Sequence, residues 1–135
     1  MPGEFYIEGK KENETIEQMH GEEPVTGSAA SDWQAAEADV VSIGEEGVRF
    51  KIHDLTLSIL NLVGNQITVR LYKPVNGIER CCYRQVFDAG VDTPGLPVIN
   101  GTWAIHGVLR VTLESNNAAD NGKAVDYDYM LEAMS

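Results

Sequence analysis

Five segments between residues 48 and 131 alternate apolar and polar side chains with a period of two. Successive side chains of a β-strand point to opposite faces of a sheet, whereas helical side chains recur every 3.6 residues. Each segment therefore presents one apolar and one polar face, which is typical of antiparallel sheets. The segments are residues 48–52, 55–59, 67–71, 109–113 and 125–131.

Turn residues separate these segments and predict further strands. Asn76-Gly77 is a strong hairpin signal, and His53-Asp54 marks a short corner or bulge. Short strands are also expected near Asp39–Ile43 and at Thr102–Ile105, and Cys81–Phe87 continues the hairpin. About eight short strands without a βαβ alternation predict an all-β fold, an antiparallel β-sandwich or jelly roll.

The alternating positions define the expected core. Its large apolar side chains are numerous enough to offset the chain entropy of one domain without a metal or a disulfide. The expected core consists of Val41, Ile43, Val48, Phe50, Ile52, Leu57, Ile59, Ile67, Val69, Leu71, Tyr83, Phe87, Leu109, Val111, Leu113, Val125, Tyr127 and Tyr129.

Charge is distributed unevenly along the 135 residues. Residues 1–46 contain twelve acidic and two basic residues, a net charge of −10, whereas residues 47–135 contain nine acidic and eight basic residues, a net charge of −1. Glu22–Ser31 is rich in Pro, Gly, Ser and Ala and is interpreted as a linker. The prediction is an acidic N-terminal arm and linker at residues 1–37 and a β-sandwich domain at residues 38–135.

Composition excludes several classes of protein. A net charge of −11 argues against nucleic-acid binding through an overall field. No run of 18 apolar residues predicts a membrane-spanning helix, and the opening residues lack the pattern of a secretory signal. No cofactor and no metal site is expected, because the three histidines and two cysteines have no metal-ligand spacing.

Two groups of residues leave chemical alternatives open. The segment Asn116–Gly122, with Asp126 and Asp128, is dense in oxygen ligands and fits either calcium or ordinary turn polarity, with turn polarity favoured. Asp126 and Asp128 are expected to meet Arg49, Lys51, Arg70 or Arg110 across a polar sheet face. Cys81 and Cys82 adjoin in one strand, so one is expected to pack inward and the other outward.

Large aromatic and apolar residues outside the alternating segments are candidate contact residues. Phe5, Tyr6 and Ile7 form an apolar group in the arm. Exposing three large apolar side chains to water in a free tail is unfavourable, so they are expected to contact a partner. Trp33 and Trp103 are candidate contact residues too, and for Trp103 core packing or sugar stacking are the alternatives. The predicted partner-binding residues are therefore Phe5, Tyr6, Ile7, Trp33 and Trp103, and no catalytic residue is predicted.

Two parts of the chain carry a resemblance to known proteins: the opening PGEFYIEGKKE and most of residues 38–135, including VRFKIHDLTLSI, ITVRLYKPVNGIER and GLPVINGTWAIHGVLRVTLESNNAADNGKAVDYDYMLEAM. In these segments the chain resembles small virion structural proteins of tailed phages and prophages. The resemblance implies a non-enzymatic capsid decoration or cement protein, located in the virion and assembled in the host cytoplasm. Its expected partners are the major capsid protein or other virion subunits, with further copies of itself in a homo-oligomer.

Other functions remain open from the sequence. The same sandwich could be a carbohydrate-binding or adhesin-like module with its site in the loops Asp88–Pro97 and Asn116–Gly122. It could also be a tail or filament subunit whose arm completes the sheet of a neighbour. An enzyme would require a pocket that gathers His53 or His106 with Asp126 or Asp128.

Overall fold

The computed structural model describes residues 22–134, which form nine β-strands and one short 3-10 helix at Ala118–Asp120. The strands, numbered in chain order, are β1 (Glu22–Asp32), β2 (Ala38–Ile43), β3 (Phe50–Ser58), β4 (Ile67–Val75), β5 (Ile78–Phe87), β6 (Gly95–Pro97), β7 (Thr102–Ile105), β8 (Leu109–Ser115) and β9 (Asn121–Ala133).

The strands form two antiparallel sheets that pack into a sandwich. One sheet has the order β1-β9-β3-β6, with β7 also paired to β3, and the other has the order β2-β8-β4-β5. The first strand pairs with the last, the second with the next to last, and so on inward to the β4–β5 hairpin. This nested pairing is that of a jelly roll, in which β6 and β7 together occupy one strand position. The predicted all-β fold class is confirmed.

Two backbone irregularities that the sequence predicts, a bulge and a hairpin turn, are present in the strands. Asp54 has a φ of 53°, and the register of β3 against β9 shifts between Asp128 and Met130, so the predicted bulge after His53 is confirmed. At the predicted hairpin, Asn76 and Gly77 have φ values of 53° and 79° and connect β4 directly to β5. Both residues therefore take the left-handed conformation that a two-residue hairpin turn of type I′ requires.

The core is formed by alternate side chains of both sheets. Thirteen of the eighteen predicted core residues are buried, and Val41, Val48, Tyr83, Phe87 and Tyr127 are partly buried against the others. The core also contains residues that were not predicted. These additional core residues are Trp33, Val40, Leu55, Leu62, Leu96, Val98, Ile99 and Ile105.

The predicted linker is wrong, because Glu22–Asp32 is the eleven-residue strand β1. It pairs with β9 over nearly its whole length, from Glu22 opposite Glu132 to Asp32 opposite Asn121. Part of the segment predicted as arm and linker therefore belongs to the sandwich, so the folded body begins before residue 38. Within residues 22–134, no helix has the length and apolar character needed to cross a bilayer.

Candidate interaction surfaces

The β5 edge, defined as residues 78–87, is the most exposed strand position of the four-stranded sheet. It pairs with β4 on one side and is the last strand of its sheet in the described part of the chain. Eight of its ten side chains are exposed, and Tyr83 and Phe87 are half-buried. A long strand with an unpaired row of backbone donors and acceptors is a template for strand addition.

Two arginines give the β5 edge a positive charge. Arg80 and Arg84 are exposed, and no ion pair within residues 22–134 involves either of them. The one acidic residue of the strand, Glu79, is already engaged by Arg110. The exposed apolar side chains of Ile78 and Val86 lie on the same strand.

Arg110 lies on the outer face of the sheet beside this edge and binds two acidic side chains there. Its guanidinium donates to both carboxylate oxygens of Glu79 at 3.0 and 3.2 Å and to Asp39 at 2.8 Å. It also lies over the ring of Tyr72, 4.4 Å from the ring centre. The hydrogen bonds to Glu79 and Asp39 raise the pKa of Arg110. This contact holds the turn end of the β4–β5 hairpin against β2 and β8.

Glu37 is the centre of a second polar group on the same face. Its carboxylate accepts a hydrogen bond from Tyr72 Oη at 2.6 Å and another from Thr112 Oγ1, and Arg70 Nη1 lies 3.3 Å away. Burial alone would raise the pKa of Glu37, but these two hydrogen bonds and the charges of Arg70 and Arg110 outweigh it and lower the pKa. Burial, the bond to Glu37 and its charge raise the pKa of Tyr72 to about 12.

Glu37→Gln is expected to lower the free energy of unfolding at pH 7 by about 1 kcal/mol, because the charge-assisted hydrogen bonds of the carboxylate are lost. The folded-state pKa of Glu37 lies below the reference value of 4.5, so its contribution is complete above that value and disappears as the pH falls through the folded-state pKa. Urea unfolding at several pH values should show this difference shrinking below pH ~4.5. The exposed carboxylate of Glu45 supplies the control, Glu45→Gln, and an equal pH profile for both variants would contradict the assignment.

Both cysteines of β5 are exposed, so the prediction that one of them packs inward is wrong. Leu71 lies opposite Tyr83 and Tyr72 lies opposite Cys81, which leaves Cys82 as an extra residue in the strand. This bulge breaks the alternation on which the prediction depended. In addition, this part of β5 extends past the sandwich core, where neither strand face is covered.

A second exposed apolar surface lies at one end of the sandwich. Leu60, Val63 and Val91 are 72%, 60% and 81% exposed. Backbone hydrogen bonds tie their two loops together, from Ala89 N to Gly64 O at 3.0 Å and from Ile59 N to Pro94 O at 2.8 Å. Three exposed aliphatic side chains on adjoining loops form a small surface for contact.

The predicted contact residues fall into three groups. Phe5, Tyr6 and Ile7 lie outside the described residues. Trp33 is completely buried, and its indole N–H donates to the carbonyl oxygen of Lys123 at 2.7 Å, so its prediction as a surface contact is wrong. Trp103 is half-buried in β7 opposite Ile52 and packs against the core, and its role as a partner contact stays a prediction.

Asp126 and Asp128 lie on the exposed face of the five-stranded sheet, beside a shallow depression of about 510 Å³. The cross-strand neighbours of Asp126 are Ser28 and Ser58, and those of Asp128 are Thr26 and Thr56. The predicted ion pairs with basic residues are wrong. Arg70 and Arg110 belong to the other sheet, and no ion pair of residues 22–134 includes either aspartate.

Asparagine side chains of the polar loop before β9 accept hydrogen bonds from backbone N–H groups of this loop and of other segments. Asn116 Oδ1 accepts from Gln66 N at 3.2 Å, Asn121 Oδ1 from Gln34 N at 2.8 Å, and Asn117 Oδ1 from Ala119 N at 2.9 Å. These are the bonds of turn polarity, the interpretation that the sequence favoured. In the described part of the chain, no group of three or more His, Cys, Asp or Glu side chains is placed to hold a metal ion.

The two histidines within residues 22–134 lie in different settings. His53 Nδ1 is 2.7 Å from Thr102 Oγ1, and its Nε2 is 3.0 Å from Glu132 Oε1, so the ring joins β3 to β7 and β9. His106 is exposed in the turn after β7. Neither histidine lines the depression beside Asp126 and Asp128. No family model, no curated protein and no solved structure matches the chain.

Proposed function

We propose that this protein is a structural component of a virion, a capsid decoration or cement protein that attaches to the capsid lattice through its N-terminal arm and through contacts between copies. The observation that supports this proposal best is the β5 edge, a ten-residue strand with eight exposed side chains and two arginines outside any ion pair of the described residues. An unpaired edge of this kind can bind a neighbouring subunit by strand addition.

Two further properties support the same function. The jelly-roll sandwich occurs in viral capsid proteins and in lectins, so the fold is compatible with a virion role but does not select it. The resemblance to small phage virion proteins spans the opening eleven residues and most of residues 38–135.

Deleting residues 1–11 is expected to reduce attachment to particles at least tenfold, because Phe5, Tyr6 and Ile7 are the anchors that the arm offers. The deletion is expected to leave the melting temperature of the body unchanged, since the core cluster begins at Trp33. Co-sedimentation of the purified protein with undecorated particles measures the attachment.

The double variant Asp126→Asn, Asp128→Asn provides a control that changes charge on the exposed face of the other sheet. It should attach as the unmodified chain does. A truncated protein that binds particles as tightly as the full chain would overturn the arm as the attachment element.

A further inference from the structure

Glu79 and Arg84 lie on the same face of the β5 edge, although they are five positions apart. Directly opposite residues of an antiparallel pair share a face, and Arg84 lies opposite Arg70 on the outer face of the sheet. Glu79 binds Arg110 on this same face. In a regular strand, an odd separation places two side chains on opposite faces. The extra residue Cys82 removes that difference.

The core-facing side of the β5 edge carries a different pair of residues. Tyr83 lies opposite the buried Leu71, so its half-buried ring is on this side. Arg80 adjoins Glu79 in the regular part of the strand and therefore points away from it, to the side of Tyr83. A strand that adds to this edge thus meets Glu79 and an arginine on one face, and Tyr83 and an arginine on the other.

A second copy of β5 matches both faces. Antiparallel pairing about a two-fold axis between residues 81 and 82 places Glu79 of each copy opposite Arg84 of the other. The same register places Arg80 of each copy opposite Tyr83 of the other. Two cross-strand pairs of opposite charge then form on the outer face, and two guanidinium groups meet tyrosine rings on the other face. Both kinds of pair stabilise a sheet.

Neighbouring registers of the same pairing fit less well. An axis through Cys82 itself would bring Arg80 of one copy against Arg84 of the other, and these two side chains belong to opposite faces. An axis between residues 82 and 83 keeps the faces matched but places Glu79 opposite Val86, so both ion pairs are lost. The bulge and the charges together therefore select one register.

We propose that two copies of this protein pair through their β5 edges, with Glu79 of each copy opposite Arg84 of the other. The contact is isologous, because the same strand serves both partners, and it joins two four-stranded sheets into one continuous sheet. Backbone hydrogen bonds provide the affinity, and the charged pairs fix the register. The inference rests on the proposed function, in which copies contact one another, and deepens it by identifying the strand that they use.

The test reverses one charge at a time in the full chain, without particles. In Glu79→Lys two positive charges face each other across the contact, and in Arg84→Glu two negative charges do. Sedimentation equilibrium of each variant alone is expected to show self-association at least tenfold weaker than that of the unmodified chain. In an equimolar mixture both cross-strand pairs again join opposite charges, so association is expected to recover. A salt concentration of about 0.15 M screens the general repulsion between two acidic chains.

Two controls separate the edge contact from other causes. Arg49→Glu, a charge reversal at an exposed arginine outside β5, is expected to leave association unchanged. Circular dichroism checks that each variant is folded, since Glu79→Lys also removes the contact with Arg110. If that variant does not fold, Arg84→Glu decides alone, because no ion pair within residues 22–134 involves Arg84.

Three results would overturn the inference: an unmodified chain that stays monomeric, a mixture of folded variants that fails to recover, or an Arg84→Glu chain that associates as the unmodified chain does. Particle attachment is measured separately. A monomer that still attaches to particles would overturn the β5 pairing alone, and a dimer that does not attach would overturn the proposed function alone.

Discussion

Trp33→Ala is expected to lower the free energy of unfolding by about 3–5 kcal/mol, which is the usual cost of removing a buried large aromatic side chain. Trp33 is completely buried, in the turn that follows β1. Its indole N–H donates to the Lys123 carbonyl oxygen, and its own carbonyl oxygen accepts from Ser115 N at 3.0 Å. The ring therefore fills the core where β1, β8 and the start of β9 meet.

Urea unfolding followed by circular dichroism measures this loss. Trp33→Phe is expected to be intermediate, because it keeps an aromatic ring but leaves the Lys123 carbonyl oxygen without its indole donor. Trp103→Ala is the matched control, since Trp103 is only half-buried in the short strand β7. If Trp33→Ala lowers the free energy of unfolding no more than Trp103→Ala does, the Trp33 ring does not stabilise the contact between β1, β8 and β9.

The alternating segments predicted most of the interior because their period fixes which side chains face the core. The same rule could not identify Trp33, which lies in a turn beside alanines and acidic residues. Leu62 and Ile99 are similar, since both are buried from loops. A turn residue is buried by the tertiary arrangement of the strands around it, and no local pattern records that arrangement.

The composition of β1 predicted a linker, and for Gly27 the reason for the small residue is the strand that pairs with β1. A Cβ atom at Gly27 would lie 2.3 Å from the hydroxyl oxygen of Tyr127, so the tyrosine occupies the space that a side chain would need. Gly27 and Tyr127 are direct cross-strand partners in β1 and β9. The glycine at this position reflects the large side chain of its cross-strand partner, which only the long-range pairing reveals.

The exposed position of the β5 edge could not be predicted from the sequence either. The segment Cys81–Phe87 was predicted as a hairpin strand, but its position at the end of a sheet depends on which strands pair across the whole chain. Two exposed arginines with only one acidic neighbour in the same strand were the available signal. Charged side chains and a bulge on an edge strand limit uncontrolled pairing.

Asp120→Asn is expected to lower the free energy of unfolding by about 3 kcal/mol, although it changes the side chain by only one atom type. Asp120 is completely buried at the end of the 3-10 helix. Its Oδ1 accepts from Val63 N at 2.8 Å, and its Oδ2 accepts from Gly64 N at 3.0 Å and from Ser115 Oγ at 2.6 Å. The carboxylate thus holds the loop between β3 and β4 against the loop between β8 and β9.

Both carboxylate oxygens are used, so neither orientation of an asparagine amide reproduces the site. If the amide nitrogen replaces Oδ1, it faces the backbone N–H of Val63, and if it replaces Oδ2, it faces the backbone N–H of Gly64. In either case two donors meet in a buried site, and the backbone N–H loses its acceptor. Ser115 can rotate its hydroxyl to accept instead, which limits the loss to one backbone donor and the charge.

Asp128→Asn makes the same chemical change at an exposed aspartate and is expected to alter the free energy of unfolding by less than about 0.5 kcal/mol. Chemical denaturation of both variants beside the unmodified chain gives the comparison. The loss at Asp120 should also raise amide exchange at Val63 or at Gly64, because the amide nitrogen of the asparagine replaces the acceptor of one of these two N–H groups. Equal stabilities for the two variants would mean that the loops are held by the contacts of Asn116 with Asn65 and Gln66 instead, since those bonds do not involve the buried carboxylate.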